Sequence, residues 1–177
     1  ANAIFSFLFG LGMTIQLRRG AERGGAFVPT YLRRLATLFV IGALHAVLLW
    51  NGGVLHIYAG LGVLLLAVRN LPDRWIFALV GLLLVAPLVR DGWALITEEP
   101  PIHPVSYYEA QARAHITVFR EGTYAQQIAA RLGELYEGYV EAAPRLQGWV
   151  WVWVSFAVTM LLGLWTGRRR LLEDVQT

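Results

Sequence analysis

Five apolar stretches without a charged side chain divide the chain, and their lengths predict five helices. They cover residues 3–17, 35–50, 54–68, 75–89 and 149–165. Each is apolar around its whole circumference and lacks the polar stripe of a helix that lies against water. Arginines and tryptophans stand at the ends of the stretches, where membrane-spanning helices place them. The pattern predicts an all-α integral membrane protein, a helical bundle of about five transmembrane helices.

Buried helices of a large soluble protein are the alternative, because the uncharged cores of 15 to 17 residues are shorter than the ~20 that cross a bilayer. Composition favours the membrane: 56% of the residues are hydrophobic and 15% are charged, against about 25% charged in soluble domains. The fifteen basic residues are all arginines that stand between the apolar stretches, so the expected partner is the lipid bilayer and not nucleic acid. The chain has no cysteine, and its histidines lack the spacing of metal ligands, so no metal site is expected.

The arginines also predict the orientation, since cytoplasmic connections of membrane proteins are enriched in basic residues. Under alternating topology the connection 18–34, the turn after residue 68 and the end of the chain share one side. Together they hold ten of the fifteen arginines. The segment 90–147 on the opposite side holds five arginines against eight acidic residues. Residues 18–34 are therefore predicted to be cytoplasmic and residues 90–147 to lie outside.

The outer helical segment, residues 100–147, carries signals of its own. Ser106 precedes Glu109 by three residues and Thr123 precedes Gln126 by three, which is the spacing of a capping box. After Thr123, apolar side chains recur at steps of three and four, which predicts an amphipathic helix. We expect this helix either to lie on the membrane surface or to cover the bundle, as a packed cap or as a lid over an outward cavity.

Small residues at four-residue intervals predict two faces where helices touch, because helices in lipid approach most closely through small side chains. The first face is Ser6, Gly10 and Thr14, and the second is Ser155, Thr159, Gly163 and Gly167.

His45 is the candidate for chemistry, because an ionisable side chain inside a span is expensive and usually faces the bundle interior or a wet cavity. It follows Arg34 by eleven residues, which places both on one helix face about 16 Å apart along the axis. His56 begins the next span after a tight turn, so similar depth is expected for both histidines. A neutral histidine bonded to a nearby carbonyl would explain either without a function. The arginines of the connection 18–34 either bind anionic groups or only fix the topology.

Residues 5–12, Phe-Ser-Phe-Leu-Phe-Gly-Leu-Gly, resemble the Phe-Leu-Phe-Gly-x-Gly helix of the YeiB-like family of bacterial inner-membrane proteins. The stretch from Arg33 through Gly42, His45 and Trp50 to Tyr58-Ala59 is similar to the family's Arg-Leu helix, Gly-x-x-His, Trp-x-Gly-Asp-Ile-Leu turn and Tyr-Ala helix. Gly122-Thr123-Tyr124 with Arg131 resembles the family's outer segment, and Met160-Leu161-Leu162-Gly163 before Gly167-Arg168 resembles a late span. Gly53 departs from the pattern, which has Asp there.

The resemblance implies a function related to transmembrane acyltransferases such as heparan-alpha-glucosaminide acetyltransferase, which move acyl groups from a cytoplasmic donor to an outer acceptor. His45 would then be the general base, since neutral imidazole suits that role near pH 7. Arg33 and Arg34 would steer an anionic donor of the acyl-CoA type. Trp50, His56 and Tyr58 complete the implied donor- or substrate-binding set.

The chain starts almost inside a helix, so we expect a fragment of a longer inner-membrane protein. Its missing N- and C-terminal helices would be partners of this single transmembrane domain, residues 1–177. The resemblance implies an upstream helix with an Asp-x-x-Arg-Gly motif and a further helical region after Thr177. Two other functions stay open: a transporter or efflux component with the histidines and glycines lining its path, and a structural membrane module without turnover.

Overall fold

The computed structural model describes residues 2–22, 27–50, 52–97, 104–142 and 150–172. Over those ranges the chain forms α-helices and one π-helical segment, and no strand. The helices are α1 (Asn2–Glu22), α2 (Phe27–Leu48), α3 (Leu55–Val68), α4 (Asp73–Ile96), α5 (Val105–Glu121), α6 (Tyr124–Tyr136) and α7 (Val150–Arg168). The π-helical segment, Glu137–Ala142, continues α6 directly. The predicted all-α fold class is confirmed.

Two helices, α2 and α4, are long and apolar enough to cross a membrane, judged over the described ranges. The helix α2 covers residues 35–48 of the second predicted span, 35–50, and α4 contains the whole of the fourth, 75–89. Of the others, α3 is apolar but has 14 residues. The last turns of α1 carry Gln16, Arg18 and Arg19, and α7 mixes serine, threonine and glycine with its apolar residues. The fold thus establishes an all-α protein with two candidate membrane spans.

Most of the apolar surface of α2 and α4 is uncovered by the rest of the described chain. In the 18-residue window of each helix, 22% is buried in α2 and 6% in α4. Leu82, Leu88 and Ile96 of α4 are 63%, 61% and 80% exposed. An apolar surface of this extent marks contact with lipid or with another protein surface.

The described chain divides into two units, each with its own contacts. The first unit comprises the residues up to Ala43, those from Val54 to Ala86, and those from Trp151 onward. It therefore contains α1, α3, most of α2 and α7, and the first half of α4. Its best-buried large side chains, each at most 1% exposed, are Met13, Tyr58, Ile76, Met160 and Leu164.

Close backbone contact joins α1 to α7 in this unit, as the small-residue faces predicted. A Cβ added to Gly10 would overlap the carbonyl oxygen of Met160, and one added to Gly163 would overlap that of Phe7. A Cβ on Gly167 would meet the side chain of Thr14. The prediction is confirmed for these glycines, since even one methyl group would push the backbones apart.

The first residues of the two predicted faces behave differently. Ser155 of α7 is exposed and donates its hydroxyl to the carbonyl of Val152 at 2.7 Å, so the contact with α1 does not extend to it. Ser6 of α1 is fully buried and shares a 2.8 Å hydrogen bond with the hydroxyl of Tyr58 on α3. It also donates to the carbonyl of Asn2 at 2.9 Å. Ser6 therefore binds α1 to α3 by a buried polar contact.

Asp73, the first residue of α4, joins that helix to the end of α7. Its carboxylate accepts hydrogen bonds from Trp165 Nε1 at 3.1 Å and from Arg169 Nε at 2.7 Å. Arg168 Nη1 donates to the carbonyl of Leu71 at 2.6 Å. An acid at a helix N-terminus and arginines at a C-terminus both complement the helix dipoles. The sequence did not predict this contact: Arg168 and Arg169 served only to predict topology, and no role was predicted for Asp73.

The second unit comprises Leu44–Gly53 together with the described residues after Ala86 and before Trp151. Within it α5 and α6 form an antiparallel hairpin. The predicted capping box at Thr123 is confirmed: its side chain accepts from the Gln126 backbone, and the Gln126 side chain accepts from the Thr123 backbone. The capping box predicted at Ser106 is wrong, because α5 already begins at Val105 and Ser106 lies inside the first turn.

Polar side chains fill the contact between α5 and the α6 region. Glu137 accepts hydrogen bonds from Tyr107 Oη at 2.7 Å and from Gln111 Nε2 at 2.6 Å. One turn further along α5, His115 Nε2 pairs with Glu134 of α6. The three α5 residues are spaced by four, so they form one face of that helix. The predicted amphipathic helix is therefore present, and its polar face is the one that packs within the unit.

Candidate functional site

His45 lies in the last turn of α2, where the helix gives way to a tight turn. Its carbonyl accepts hydrogen bonds from the backbone N–H groups of both Leu49 and Trp50 at 2.9 Å. The Trp50 carbonyl then accepts from the Gly53 N–H at 3.2 Å, which closes the turn. The first two bonds satisfy the carbonyl of His45, one of those that a helix end leaves without a helical partner. The three bonds together bring Gly53 back toward the imidazole.

Gly53 lies against the side chain of His45. A Cβ added to this buried glycine would lie 2.6 Å from His45 Nδ1 and 3.1 Å from Cε1. His45 Nδ1 is itself buried, and it has no hydrogen-bond partner within the described ranges. A buried imidazole nitrogen without a partner is unusual, since buried polar side-chain atoms are nearly always hydrogen-bonded. Any side chain at position 53 would therefore contact His45 Nδ1 directly.

Two side chains of α6 bind the carbonyls at the end of α2 in the same unit. Tyr124 Oη donates to the Leu48 carbonyl at 2.8 Å. Arg131 Nη1 donates to the carbonyls of Leu48 at 3.1 Å and Val47 at 3.4 Å. Both contacts satisfy carbonyls that the helix leaves free, and the guanidinium charge complements the negative end of the dipole. The end of α2 that carries His45 is thus hydrogen-bonded to side chains of α6.

Arg131 is an unusual arginine because its side chain is buried, with 7% of the residue exposed. Its guanidinium carbon lies 5.0 Å from the centre of the Phe119 ring of α5, within cation–π distance. A buried charge costs little only where it is well paired. Here carbonyls and an aromatic face replace water around the guanidinium, and its position is therefore fixed.

The remaining predicted site residues of α2 lie in different settings. Arg33 and Arg34 are exposed near the beginning of α2, and Arg34 Nη1 donates to Gln16 Oε1 of α1 at 2.6 Å. Trp50 is 66% exposed at the turn after α2. The arginines therefore lie toward one end of α2 and His45 at the other, as their spacing predicted.

The two predicted residues of α3 lie in the first unit. Tyr58 is 1% exposed, and its ring packs against Phe5, Phe9 and Phe156. Its hydroxyl is already bound to Ser6, so Tyr58 holds helices together and its predicted binding role has no support in its surroundings. His56 is half-buried, and a Cβ on Gly42 of α2 would meet its backbone nitrogen. This contact explains the glycine of the Gly-x-x-His pattern as a point of close helix approach.

Sequence reasoning missed the structural roles of Tyr124 and Arg131 around the candidate site. Both residues had been noted in the outer segment, but their partners lie 76 and 83 positions earlier in the chain. The sequence held no signal for either partner, because the burial of Arg131 is evident only in the fold. The contact between Gly53 and His45 is local and is only evident once the turn geometry is known.

Comparison with known proteins gives partial matches. No family model and no solved structure matches the chain. One relative is the "Uncharacterized protein YxaH" of Bacillus subtilis (strain 168), 48% identical over 67 residues, which is 38% of this chain and 17% of that protein. Another is the "Uncharacterized 39.9 kDa protein in amylase 3'region" of Bacillus acidopullulyticus, 41% identical over 63 residues, covering 36% of this chain and 18% of that protein. The matched segments span less than a fifth of either relative, and neither name states an activity.

Proposed function

We propose that the chain belongs to a multi-spanning inner-membrane protein of the YeiB-like kind that transfers an acyl group from a cytoplasmic donor to an outer acceptor. The single observation that carries the proposal is the buried, unpartnered Nδ1 of His45 against Gly53, within the described ranges. The alternatives are a transporter, in which the histidines would line the path, and a structural module, in which His45 would only fill space.

Helix directions in the first unit support five alternating spans. Ser6 and Phe9 of α1 meet Tyr58 and Gly62 of α3 in the same order along both chains, so α1 and α3 run parallel.

The same reasoning applies to α7. Gly10 and Thr14 of α1 meet Met160 and Gly167, so α1 and α7 are also parallel.

Helices of even number run the other way. Arg34 near the beginning of α2 contacts Gln16 near the end of α1, and Trp165 near the end of α7 contacts Asp73 at the start of α4. The first, third and fifth apolar helices thus share one direction and the second and fourth oppose them. This is the order that a chain crossing the bilayer five times would have.

His45 would act as the general base of the transfer. In the proposed step the imidazole takes the proton of an acceptor hydroxyl or amine, whose oxygen or nitrogen attacks the carbonyl carbon of an acyl thioester. The new C–O or C–N bond forms, the C–S bond breaks, and the leaving thiol takes up a proton. Arg33 and Arg34, exposed at the other end of α2, supply positive charge for the phosphate groups of a donor of the acyl-CoA type.

Position 53, where this chain departs from the family pattern, lies against the proposed base. The family pattern has Asp at this position, and a side chain there would start at His45 Nδ1. A carboxylate bound to one imidazole nitrogen fixes the tautomer and orientation of the ring, so that the other nitrogen accepts a proton. In this chain Gly53 supplies no such carboxylate to Nδ1.

Replacing Gly53 by Ala is expected to reduce acyl transfer by about tenfold while leaving the protein folded, because a methyl group at 2.6 Å from Nδ1 must displace the imidazole. The measurement is transfer from a radiolabelled acyl-CoA into envelope material by the full-length protein in membrane vesicles. Gly60→Ala is the matched control, since a Cβ at this exposed glycine of α3 would meet no atom of the described chain within 4 Å.

Equal transfer by the two variants would contradict a role for the His45–Gly53 contact. Absence of transfer by the unchanged protein with every acyl donor tried would overturn the proposed function itself. Uptake or export of a substrate by the same vesicles would then favour the transporter.

A further inference from the structure

The α6 region has its apolar side outward, against the usual order of a helix in water. Arg131 is buried and Glu134 and Glu137 are half-buried, while apolar and aromatic side chains one turn apart are exposed. These exposed side chains are Leu132 (49%), Tyr136 (58%), Tyr139 (40%) and Val140 (52%), here called the outer face. Arg131 has its hydrogen-bond partners on α2, and Glu134 and Glu137 have theirs on α5. The outer face is therefore expected to contact lipid or another protein surface and not water.

The position of α6 along the membrane normal follows from its contacts with α2. Tyr124 and Arg131 are seven residues apart on α6, and both donate to the carbonyl of Leu48, the last residue of α2. Because α2 is long and apolar enough to cross a membrane, its end marks the boundary between hydrocarbon and headgroups. These contacts hold α6 at that boundary, beside the end of a candidate span.

The chemistry of these side chains indicates which of the two, lipid or protein, contacts the outer face. Two of the four residues of the outer face are tyrosines, which are enriched at membrane interfaces because a phenol places its ring in the apolar region and its hydroxyl among headgroups. Leu132 and Val140 supply the apolar contacts, and no charged side chain belongs to the face. A soluble partner would have to reach a surface fixed at the level of the bilayer, whereas lipid is already there.

We propose that the outer face of α6 and its π-helical continuation docks on the headgroup region of the bilayer, with Leu132, Tyr136, Tyr139 and Val140 in contact with lipid. It rests on the membrane location of α2 but not on the catalytic role of His45. For the outer segment, for which a position on the membrane surface, a packed cap and a lid were all expected, this proposal favours the membrane surface. A segment held flat on the lipid and bonded to the end of α2 is an anchor for the His45 turn, and a lid that swings over a cavity would have to break those contacts.

Lipid contact is tested with a fluorescent reporter attached to the protein. Lipids that carry a quencher on their acyl chains quench this reporter only when it lies in or near the hydrocarbon. The full-length protein, in a background without other cysteines, is labelled with an NBD fluorophore at Tyr136→Cys or at Leu132→Cys and reconstituted in vesicles of phosphatidylethanolamine and phosphatidylglycerol. Thr117→Cys is the control, because Thr117 is exposed on α5 between Arg113 and Arg120. Its label should face water.

Quenching by doxyl-labelled lipid is expected to be about twofold or more greater at positions 136 and 132 than at 117, as for a face that sits ~5–10 Å deep in the interface. Iodide in the water should quench in the opposite order. Equal lipid quenching at all three positions would overturn the proposal in favour of a water-exposed face. Protection of 132 and 136 from both quenchers would overturn it in favour of a protein segment over the face. Neither result depends on acyl transfer, so the proposed function is tested separately.

Discussion

Full-length protein carrying His45→Gln is expected to fold and insert normally and to lose about 10²-fold or more of its acyl-transfer rate, the usual contribution of a general base. Glutamine is close to histidine in size and can donate or accept a hydrogen bond, but its amide does not take up a proton at neutral pH. If His45 only fills space at the end of α2, glutamine should replace it with little loss. The measurement is the rate of transfer from labelled acyl-CoA, normalised to folded protein.

His115→Gln is the matched control, because His115 belongs to the α5–α6 hairpin and pairs with Glu134. Transfer by that variant should stay close to that of the unchanged protein. A well-folded His45→Gln protein that transfers as fast as the His115→Gln control would remove His45 from the mechanism. The comparison separates loss of a base from any general effect of replacing histidine.

The second large effect is expected from Gly163→Leu, which should lower the free energy of unfolding by about 1–3 kcal/mol or more, the range for overpacked contacts. Gly163 faces the backbone of α1: an added Cβ would overlap the carbonyl oxygen of Phe7 and lie 3.0 Å from the nitrogen of Leu11. Backbone cannot rotate away as a side chain does, so the two helices must separate. The measurement is the melting temperature of the full-length protein in detergent.

Gly81→Leu is the control for this effect. Gly81 lies in α4, another apolar helix, and a Cβ there would meet no atom of the described chain within 4 Å. The same glycine-to-leucine change should leave the melting temperature of this variant nearly unchanged. Equal melting temperatures for the two variants would show that α1 and α7 do not pack through Gly163.

The five helices were predictable because the apolar stretches are long, uncharged and separated by arginines or turns. The number of them that spans a membrane was not, because length and composition support only α2 and α4 over the described ranges. Length and composition also do not reveal where neighbouring helices satisfy each other's polar side chains. One example is Ser6, whose hydroxyl is satisfied by Tyr58 in the core.

Helical periodicity predicted a polar and an apolar face on α6, but it did not predict which of them packs against the rest of the protein. In a soluble protein the apolar face would turn inward, whereas a helix on the membrane surface, one of the alternatives that the sequence left open, would turn that face toward lipid. The structure shows why the polar face packs: Arg131 has carbonyl partners on α2, and Glu134 and Glu137 have partners on α5. Those partners are distant in sequence, so no spacing rule could have found them.

Within the candidate site, sequence gave the residue but not its surroundings. His45 was selected by its depth in an apolar stretch, and the structure places it in the last turn of α2. Gly53 was noted only as a departure from a family pattern. Its contact with Nδ1 depends on the turn through Trp50, whose backbone hydrogen bonds the sequence does not specify. Trp149 and His103 lie outside the described residues.

The proposed function depends most on the membrane topology of the chain, and cysteine accessibility in intact cells measures that topology directly. Cysteines are introduced at Ala21, an exposed residue of the predicted cytoplasmic connection, and at Thr117 in the outer hairpin. A membrane-impermeant maleimide is expected to label Thr117→Cys in intact cells, and Ala21→Cys only after the membrane is opened. Labelling of Ala21→Cys but not Thr117→Cys in intact cells, or equal labelling of both, would contradict a chain that crosses the membrane with His45 toward the outside.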